Sequence, residues 1–393
     1  MSATAGELRG TAKSMELEIH PKAHWAKVEG RPVIVAGPCA AESEEQVFET
    51  ARRLTGTRVD FFRAGIWKAR TRPGTFEGIG ERALPWLRAA GEKYGMRTAT
   101  EVAQPAHVEA ALTAGIDLLW IGARTTVNPF SVQELANALR GTSVPVLVKN
   151  PTNPDLQLWI GAFERLAQAG VRSLGAIHRG VSVANSKPYR NAPMWSFAIE
   201  LRRLLPEMPI VNDPSHICGR RDLLQAIAQR AMDLGLDGLM LETHPNPDQA
   251  WSDAAQQVTP ERAGEIFAEL IVRRPDVPSD SFHASLESLR ARIDQVDHDL
   301  VHLLADRMSI VMLIAELKRA NNVTTLQVAR WRALLEDRME RARELGLDPA
   351  YIKALYDVIH GESVRRQSAV VSNGRVGALQ DGDAERWSTP SAS

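Results

Sequence analysis

From Pro32 to Arg273 the chain repeats one rhythm: a short apolar run, a polar residue at its end, then an amphipathic stretch with the period of a helix. The runs begin near Val33, Phe61, Arg97, Leu118, Val146, Leu174, Ile210 and Leu239. Eight strand-then-helix units at intervals of roughly 30 residues predict an α/β fold, a (β/α)8 TIM barrel, and the even spacing favours closure over an open doubly wound sheet.

Past Val272 the pattern breaks. Pro275 and Pro278 fall among polar residues, so 274–281 reads as a linker between a barrel over 19–273 and a second domain over 282–370. There Leu286, Leu289, Ile293, Val296, Leu300 and Leu303 recur at three and four, continuing through Val311 and Ile314 to Leu317, which predicts one helix of about ten turns. A small domain cannot bury so long a helix within itself, so a homodimer packed along it is expected. Two shorter helices follow near 326–344 and 348–369, the second opened by Asp348 and Pro349 as N-cap and first-turn residue. The stretches 1–18 and 371–393 are rich in Ser, Gly, Ala and charge without periodicity and read as disordered.

Composition narrows the partners. A net charge of -1 with 24% charged residues gives no global attraction to nucleic acid or an anionic membrane. No apolar run approaches the roughly 20 residues needed to span a bilayer, and the N-terminus lacks a secretory pattern. Cys39 and Cys218 are the only cysteines, too few for a disulfide framework, so a cytoplasmic location is expected.

The polar residues that end the eight runs are Cys39, Arg63, Glu101, Arg124, Lys149, Arg179, Asp213 with His216, and Glu242. Any one reads best as a solvated strand end; all eight together mark the barrel face on which active sites are built. Cys39, His216, Glu242 and Asp253 offer a thiolate, an imidazole and two carboxylates, a set that suits a first-row divalent ion such as Mn, Fe, Co or Zn and suits magnesium poorly. Arg63, Lys68, Arg70, Arg124, Lys149 and Arg179 would repel one another in a concave mouth unless anions neutralised them, so phosphates and carboxylates are the expected ligands.

Gly37-Pro38-Cys39, the run from Arg63 through Trp67-Lys68-Ala69-Arg70-Thr71, Ile121-Gly122-Ala123-Arg124, and Asp213-Pro214-Ser215-His216 with Gly219-Arg220-Arg221 resemble the compact DAHP synthases, relatives of the KDO8P synthases, over about 32–258. The resemblance implies condensation of phosphoenolpyruvate with erythrose 4-phosphate. It further implies a metal on Cys39, His216, Glu242 and Asp253, and a phosphoenolpyruvate clamp of Arg63, Lys68, Arg124, Lys149 and Arg179. Glu101 would edge the phosphate site, Arg70 and Thr71 would meet the aldose phosphate, and Lys68 would move protons near the reacting carbons. Ala69 stands where the family usually has proline, at the cost of a loop rigidifier. The alternative is a KDO8P synthase using arabinose 5-phosphate; its relatives carry Lys-Ala-Asn-Arg-Ser-Ser at this loop, and the arginine two residues after Lys68 favours the four-carbon sugar.

Leu289-Arg290-Ala291-Arg292-Ile293-Asp294, Arg307, Lys318, Arg330, Ser363 and Gln367 resemble the all-helical chorismate mutases over about 282–369. The resemblance implies rearrangement of chorismate to prephenate, with Arg290, Arg307 and Arg330 on the carboxylates, Lys318 and Gln367 on the ether oxygen, and Ser363 binding substrate. Helix geometry places Arg307 and Lys318 about 20° apart on one face, whereas Arg290 stands about 26 Å from Arg307 along the axis and can only serve a partner chain's pocket. Gln327 and Trp331 replace the family's usual Asp and Glu. They leave open a module that senses chorismate or prephenate for feedback.

Overall fold

The computed structural model describes residues 24–68, 74–184, 186–274 and 276–372. It divides into two compact units between Pro275 and Asp276.

The first unit is a closed, all-parallel barrel of eight strands in sequence order: β1 Val33–Gly37, β2 Phe61–Arg63, β3 Arg97–Val102, β4 Leu118–Ile121, β5 Val146–Lys149, β6 Leu174–His178, β7 Ile210–Asn212 and β8 Gly238–Glu242. Closure is made by β1 on β8, with Val33 opposite Gly238 and Gly37 opposite Glu242. The expected barrel is therefore the observed one. Helices follow the strands, and several are capped by their own sequence: the Ser43, Asp155 and Thr259 side chains accept from the backbone N–H of Gln46, Leu158 and Arg262.

Strand alternation divides the apolar residues into two cores. One parity faces the helices, with Phe62, Leu119, Val148, Ile210 and Leu241 packed there. The other fills the barrel with Val35, Phe61, Ala99, Leu118, Trp120, Leu147, Ile177, Val211 and Met240, closed at the N-terminal end by Trp25. Gly175 makes room for that plug, since a Cβ there would lie 2.4 Å from Trp25 Cζ2.

The same parity places the chemistry. One inward position beyond Phe61, Ala99, Leu147, Ile177, Val211 and Met240 stand Arg63, Glu101, Lys149, Arg179, Asp213 and Glu242. The corresponding positions of β1 and β4 are Gly37 and Gly122. A Cβ at Gly37 would come within 2.0 Å of the Arg63 carbonyl oxygen, and one at Gly122 within 2.2 Å of Glu101 Oε1. Gly37 thus admits the backbone at the end of β2, and Gly122 admits the Glu101 carboxylate.

The second unit consists of helices Asp280–Ala320, Val328–Glu344 and Pro349–Ser372, the third packed on both others. The long helix starts at Asp280, inside the stretch read as linker, because Ser279 Oγ accepts from Phe282 N and caps it there. The last helix reaches Ser372, two residues into the stretch read as tail. The segment 1–18 and the remainder of that tail lie outside the described residues. Along the long helix Met308, Val311 and Ala315 are buried, while Leu289, Ile293, Val296, Leu300 and Leu303 are exposed. Among the described residues no helix is long and apolar enough to cross a membrane.

Candidate active sites

The C-terminal end of the barrel gathers residues from loops far apart in the chain. Cys39, Glu242 and Asp253 each present a ligand atom, and these atoms lie within 4.8 Å of one another. His216 sits beside this group rather than inside it, its Nε2 3.9 Å from Glu242 Oε1 and its Nδ1 2.8 Å from Asp213 Oδ2. The short helix Pro214–Cys218 sets this position, with Asp213 as its N-cap accepting from His216 N.

The electrostatics fit a cation. Burial pushes the Cys39 thiol up to about 12, the Glu242 and Asp253 charges add to this, and Lys68 and Arg63 oppose it. Thiols so placed lose their proton readily only to a coordinating metal. Glu242 Oε1 accepts no hydrogen bond among the described residues, although Arg63 Nη2 lies 3.2 Å away. A buried carboxylate oxygen of this kind, beside a thiol and a second carboxylate, is a donor set for a borderline-soft divalent ion.

The cations line the adjoining space. Lys68 Nζ approaches Cys39 Sγ at 3.2 Å. Lys149 Nζ pairs with Asp213 Oδ2 at 2.8 Å, both buried. Burial alone would raise the Asp213 carboxyl, but His216 and Lys149 outweigh it and hold it well below the usual range. Arg179 donates to Asn191 Oδ1 at 2.9 Å, and burial pulls its guanidinium down to about 10, which still leaves it charged at neutral pH. Arg63 Nε and Nη1 and Arg179 Nε are buried and donate to no described protein group. Buried cationic donors without acceptors carry a large desolvation penalty unless an anion meets them.

Glu101 accepts from Trp120 Nε1 at 2.9 Å. The same indole carries Arg63 on its ring, Cζ 4.8 Å from the centroid, with Lys149 Nζ at 6.0 Å. Arg124 is exposed on the short helix Ala123–Thr126. Arg70 and Thr71 lie outside the described residues.

Sequence reasoning passed over Trp120, Arg190 and Gln256. Trp120 was legible, since it is one inward step beyond Leu118. Arg190 belongs to an irregular loop with no period; its Nη1 lies 3.2 Å from Asp253 Oδ1 and donates to Gln256 Oε1 at 2.6 Å. Asp213 stood among the strand-end residues without a role, and it proves to join Lys149 to His216.

In the helical unit Arg307 Nη1 donates to Ser363 Oγ at 2.6 Å, and Lys318 Nζ donates to Gln367 Oε1 at 3.0 Å and to the Thr325 carbonyl at 2.6 Å. Four of the expected residues thus pair across the first and third helices. Arg330 is exposed on the second helix, and Arg290, also exposed, pairs with Glu287 at 2.7 Å. Trp331 stacks on His360 with centroids 3.9 Å apart. Burial lowers the His360 imidazole's pKa, and Arg307 and Lys318 lower it further.

Both units match known families. Residues 16–273 match the DAHP synthetase I family, and residues 289–368 match chorismate mutase type II. A Phospho-2-dehydro-3-deoxyheptonate aldolase of Thermotoga maritima is 34% identical over 238 residues, covering 61% of this chain and 67% of that protein. A 2-dehydro-3-deoxyphosphooctonate aldolase of Nitratidesulfovibrio vulgaris is 26% identical over 284 residues, covering 64% of this chain and 94% of its own length. The crystal structure of the Thermotoga maritima DAHP synthase superposes with a TM-score of 0.56 at 30% identity, covering 63% of this chain and 70% of that one. The chain belongs to the DAHP synthetase I family and carries a chorismate mutase type II domain C-terminal to its barrel in the sequence.

Proposed function

We propose that the barrel condenses phosphoenolpyruvate with erythrose 4-phosphate to 3-deoxy-D-arabino-heptulosonate 7-phosphate and phosphate, the first step of the shikimate pathway, and that the helical domain converts chorismate to prephenate. The observation that carries the reading is the buried cationic wall of Arg63, Lys149 and Arg179 beside the Cys39, Glu242 and Asp253 cluster.

Cys39, Glu242 and Asp253, joined by His216, would hold a divalent ion, Mn, Fe, Co or Zn. When bound, it supplies Lewis-acid polarisation of the aldehyde. The protein's own groups do the rest. Arg63, Arg124, Lys149 and Arg179 bind the phosphate and carboxylate of phosphoenolpyruvate and hold its C3 toward the aldehyde carbon, while Arg70 and Thr71 take the phosphate of the sugar. Carbon–carbon bond formation leaves positive charge at C2, water adds there, and phosphate departs with cleavage of the C–O bond. Lys68 Nζ, adjoining the site, moves the proton, and the guanidinium groups stabilise charge gathering on the departing phosphate. Glu101, held by the Trp120 N–H, would edge the phosphate site.

In the helical domain Arg307, Arg330 and Ser363 bind the substrate's carboxylates, and Lys318 with Gln367 donates to the ether oxygen as negative charge develops there. Arg290 completes the pocket of a second copy, because its distance along the helix separates it from Arg307; the exposed apolar stripe from Leu289 to Leu303 supports a dimer through that helix. Two buried free thiols suit a cytoplasmic protein. A second reading, sensing of chorismate or prephenate, is favoured by Trp331 and His360, which stack at a position where the mutases usually carry an acid.

Purified protein is expected to release phosphate from phosphoenolpyruvate with erythrose 4-phosphate, to prefer it to arabinose 5-phosphate, and to stop after exhaustive chelation. Preference for the five-carbon sugar, or undiminished turnover without metal, would overturn the barrel assignment. Absence of mutase turnover together with tight prephenate binding would favour sensing over catalysis.

A further inference from the structure

We propose that Gln256 and Gln257 are positioning residues that hold Cys39, Glu242 and Asp253 in register for a divalent ion, an inference that rests on the metal reading of the barrel site. Both side chains are buried, at 1% and 0% exposure, in the turn directly after Asp253. Although adjacent, they serve different segments.

Gln256 Nε2 donates to Glu242 Oε2 at 2.7 Å, and its Oε1 accepts from Arg190 Nη1 at 2.6 Å. The orientation of this amide is dictated by chemistry, because a guanidinium can only donate and a carboxylate can only accept. The bond occupies one Glu242 oxygen and leaves Oε1, next to His216, without a hydrogen bond among the described residues. Gln256 thereby selects the oxygen available to a cation. Through Arg190 it also reaches Asp253, whose Oδ1 lies 3.2 Å from the same Nη1.

Gln257 acts on the other flank. Its Oε1 accepts from Cys39 N at 3.0 Å, and its Nε2 donates to the Ser252 carbonyl at 2.9 Å. The β1 loop is thus tied to the residue preceding Asp253. Asp253 itself adopts a left-handed conformation, φ 45°, which few residues other than glycine, asparagine and aspartate take up. The backbone bond from Gln256 N to the Asp253 carbonyl, 3.2 Å, closes that turn. A carboxylate at 256 would face Glu242; an alkyl side chain there would orphan the buried Glu242 Oε2, and one at 257 would orphan the Cys39 N–H and the Ser252 carbonyl.

The test is cobalt(II) titration of apoprotein, reading the dissociation constant by chelator competition and the thiolate-to-cobalt charge-transfer band, for wild type, Gln256→Met, Gln256→Asn and Gln257→Met. Outer partners of metal ligands typically contribute about 10-fold to 100-fold in affinity. Both Gln256 variants are expected to weaken cobalt by that range while keeping the thiolate band; Gln257→Met is expected to diminish the band. Gln256→Asn retains an amide too short to bridge both partners and carries the test should the methionine variant not fold. Affinities within twofold of wild type with unchanged spectra, whether or not the apo melting temperature falls, would overturn the proposal. A wild-type protein that binds no cobalt would instead refute the metal reading itself.

Discussion

Lys149 Nζ and Asp213 Oδ2 stand 2.8 Å apart at the ends of β5 and β7, both almost wholly buried. The pair holds a cation at the barrel mouth when no anion is bound, and Asp213 turns its remaining capacity toward His216. Breaking it from one side leaves an uncompensated buried charge. Asp213→Asn is therefore expected to destabilise the barrel by roughly 3 kcal/mol, with phosphoenolpyruvate restoring more stability to the variant than to wild type. Melting temperatures with and without the ligand check this, and equal ligand-induced shifts would argue against an anion site at Lys149.

Gly122 is required by Glu101. A methyl group there would meet Glu101 Oε1 at 2.2 Å, so Gly122→Ala must displace the carboxylate from Trp120. Overpacking of this kind costs about 1–3 kcal/mol. The KM for phosphoenolpyruvate is expected to rise more than that for erythrose 4-phosphate; steady-state kinetics with each substrate varied measures the difference.

His178 makes stability depend on pH. Burial lowers its imidazole to about 4, from an ordinary value near 6.5. The unfolded chain takes up a proton below pH 6.5 that the folded one refuses, so stability is complete above that pH and declines as pH falls toward 4, by up to about 3 kcal/mol. Denaturant unfolding at pH 7 and pH 5 should show this loss in wild type and a smaller one in His178→Gln.

The two domains should be separable by point substitution. Arg307→Ala removes the partner of Ser363 Oγ and a carboxylate-binding group, and is expected to lower mutase kcat/KM at least about 100-fold while leaving phosphoenolpyruvate consumption intact. Parallel assays of both reactions on one preparation check it. Prephenate inhibition of the barrel that survives the substitution would exclude sensing in this pocket.

Much of this architecture was legible because it follows from period and parity. The eight apolar runs correspond to the eight strands, and Arg63, Glu101, Lys149, Arg179, Asp213 and Glu242 stand at inward positions at the strand ends because alternation carries them there. Most of what escaped depends on loops. Arg190 and Gln256 acquire their meaning only when the turn after Asp253 folds back on β8, and no local pattern encodes that return. Trp120 looked like one more core residue in Leu118-Leu119-Trp120-Ile121, yet it supports Glu101 through its N–H and Arg63 through its ring. The linker reading ran two residues too far because Ser279 caps the long helix early.

The central claim is that one cation and one phosphoenolpyruvate share the mouth of the barrel. Anomalous diffraction from crystals grown with manganese and phosphoenolpyruvate tests it most directly. The account predicts a single strong peak bonded to Cys39, His216, Glu242 and Asp253, with the substrate's anionic groups on Arg63, Arg124, Lys149 and Arg179. A manganese peak elsewhere, with Cys39 and Glu242 unligated and phosphoenolpyruvate away from Lys149, would contradict it.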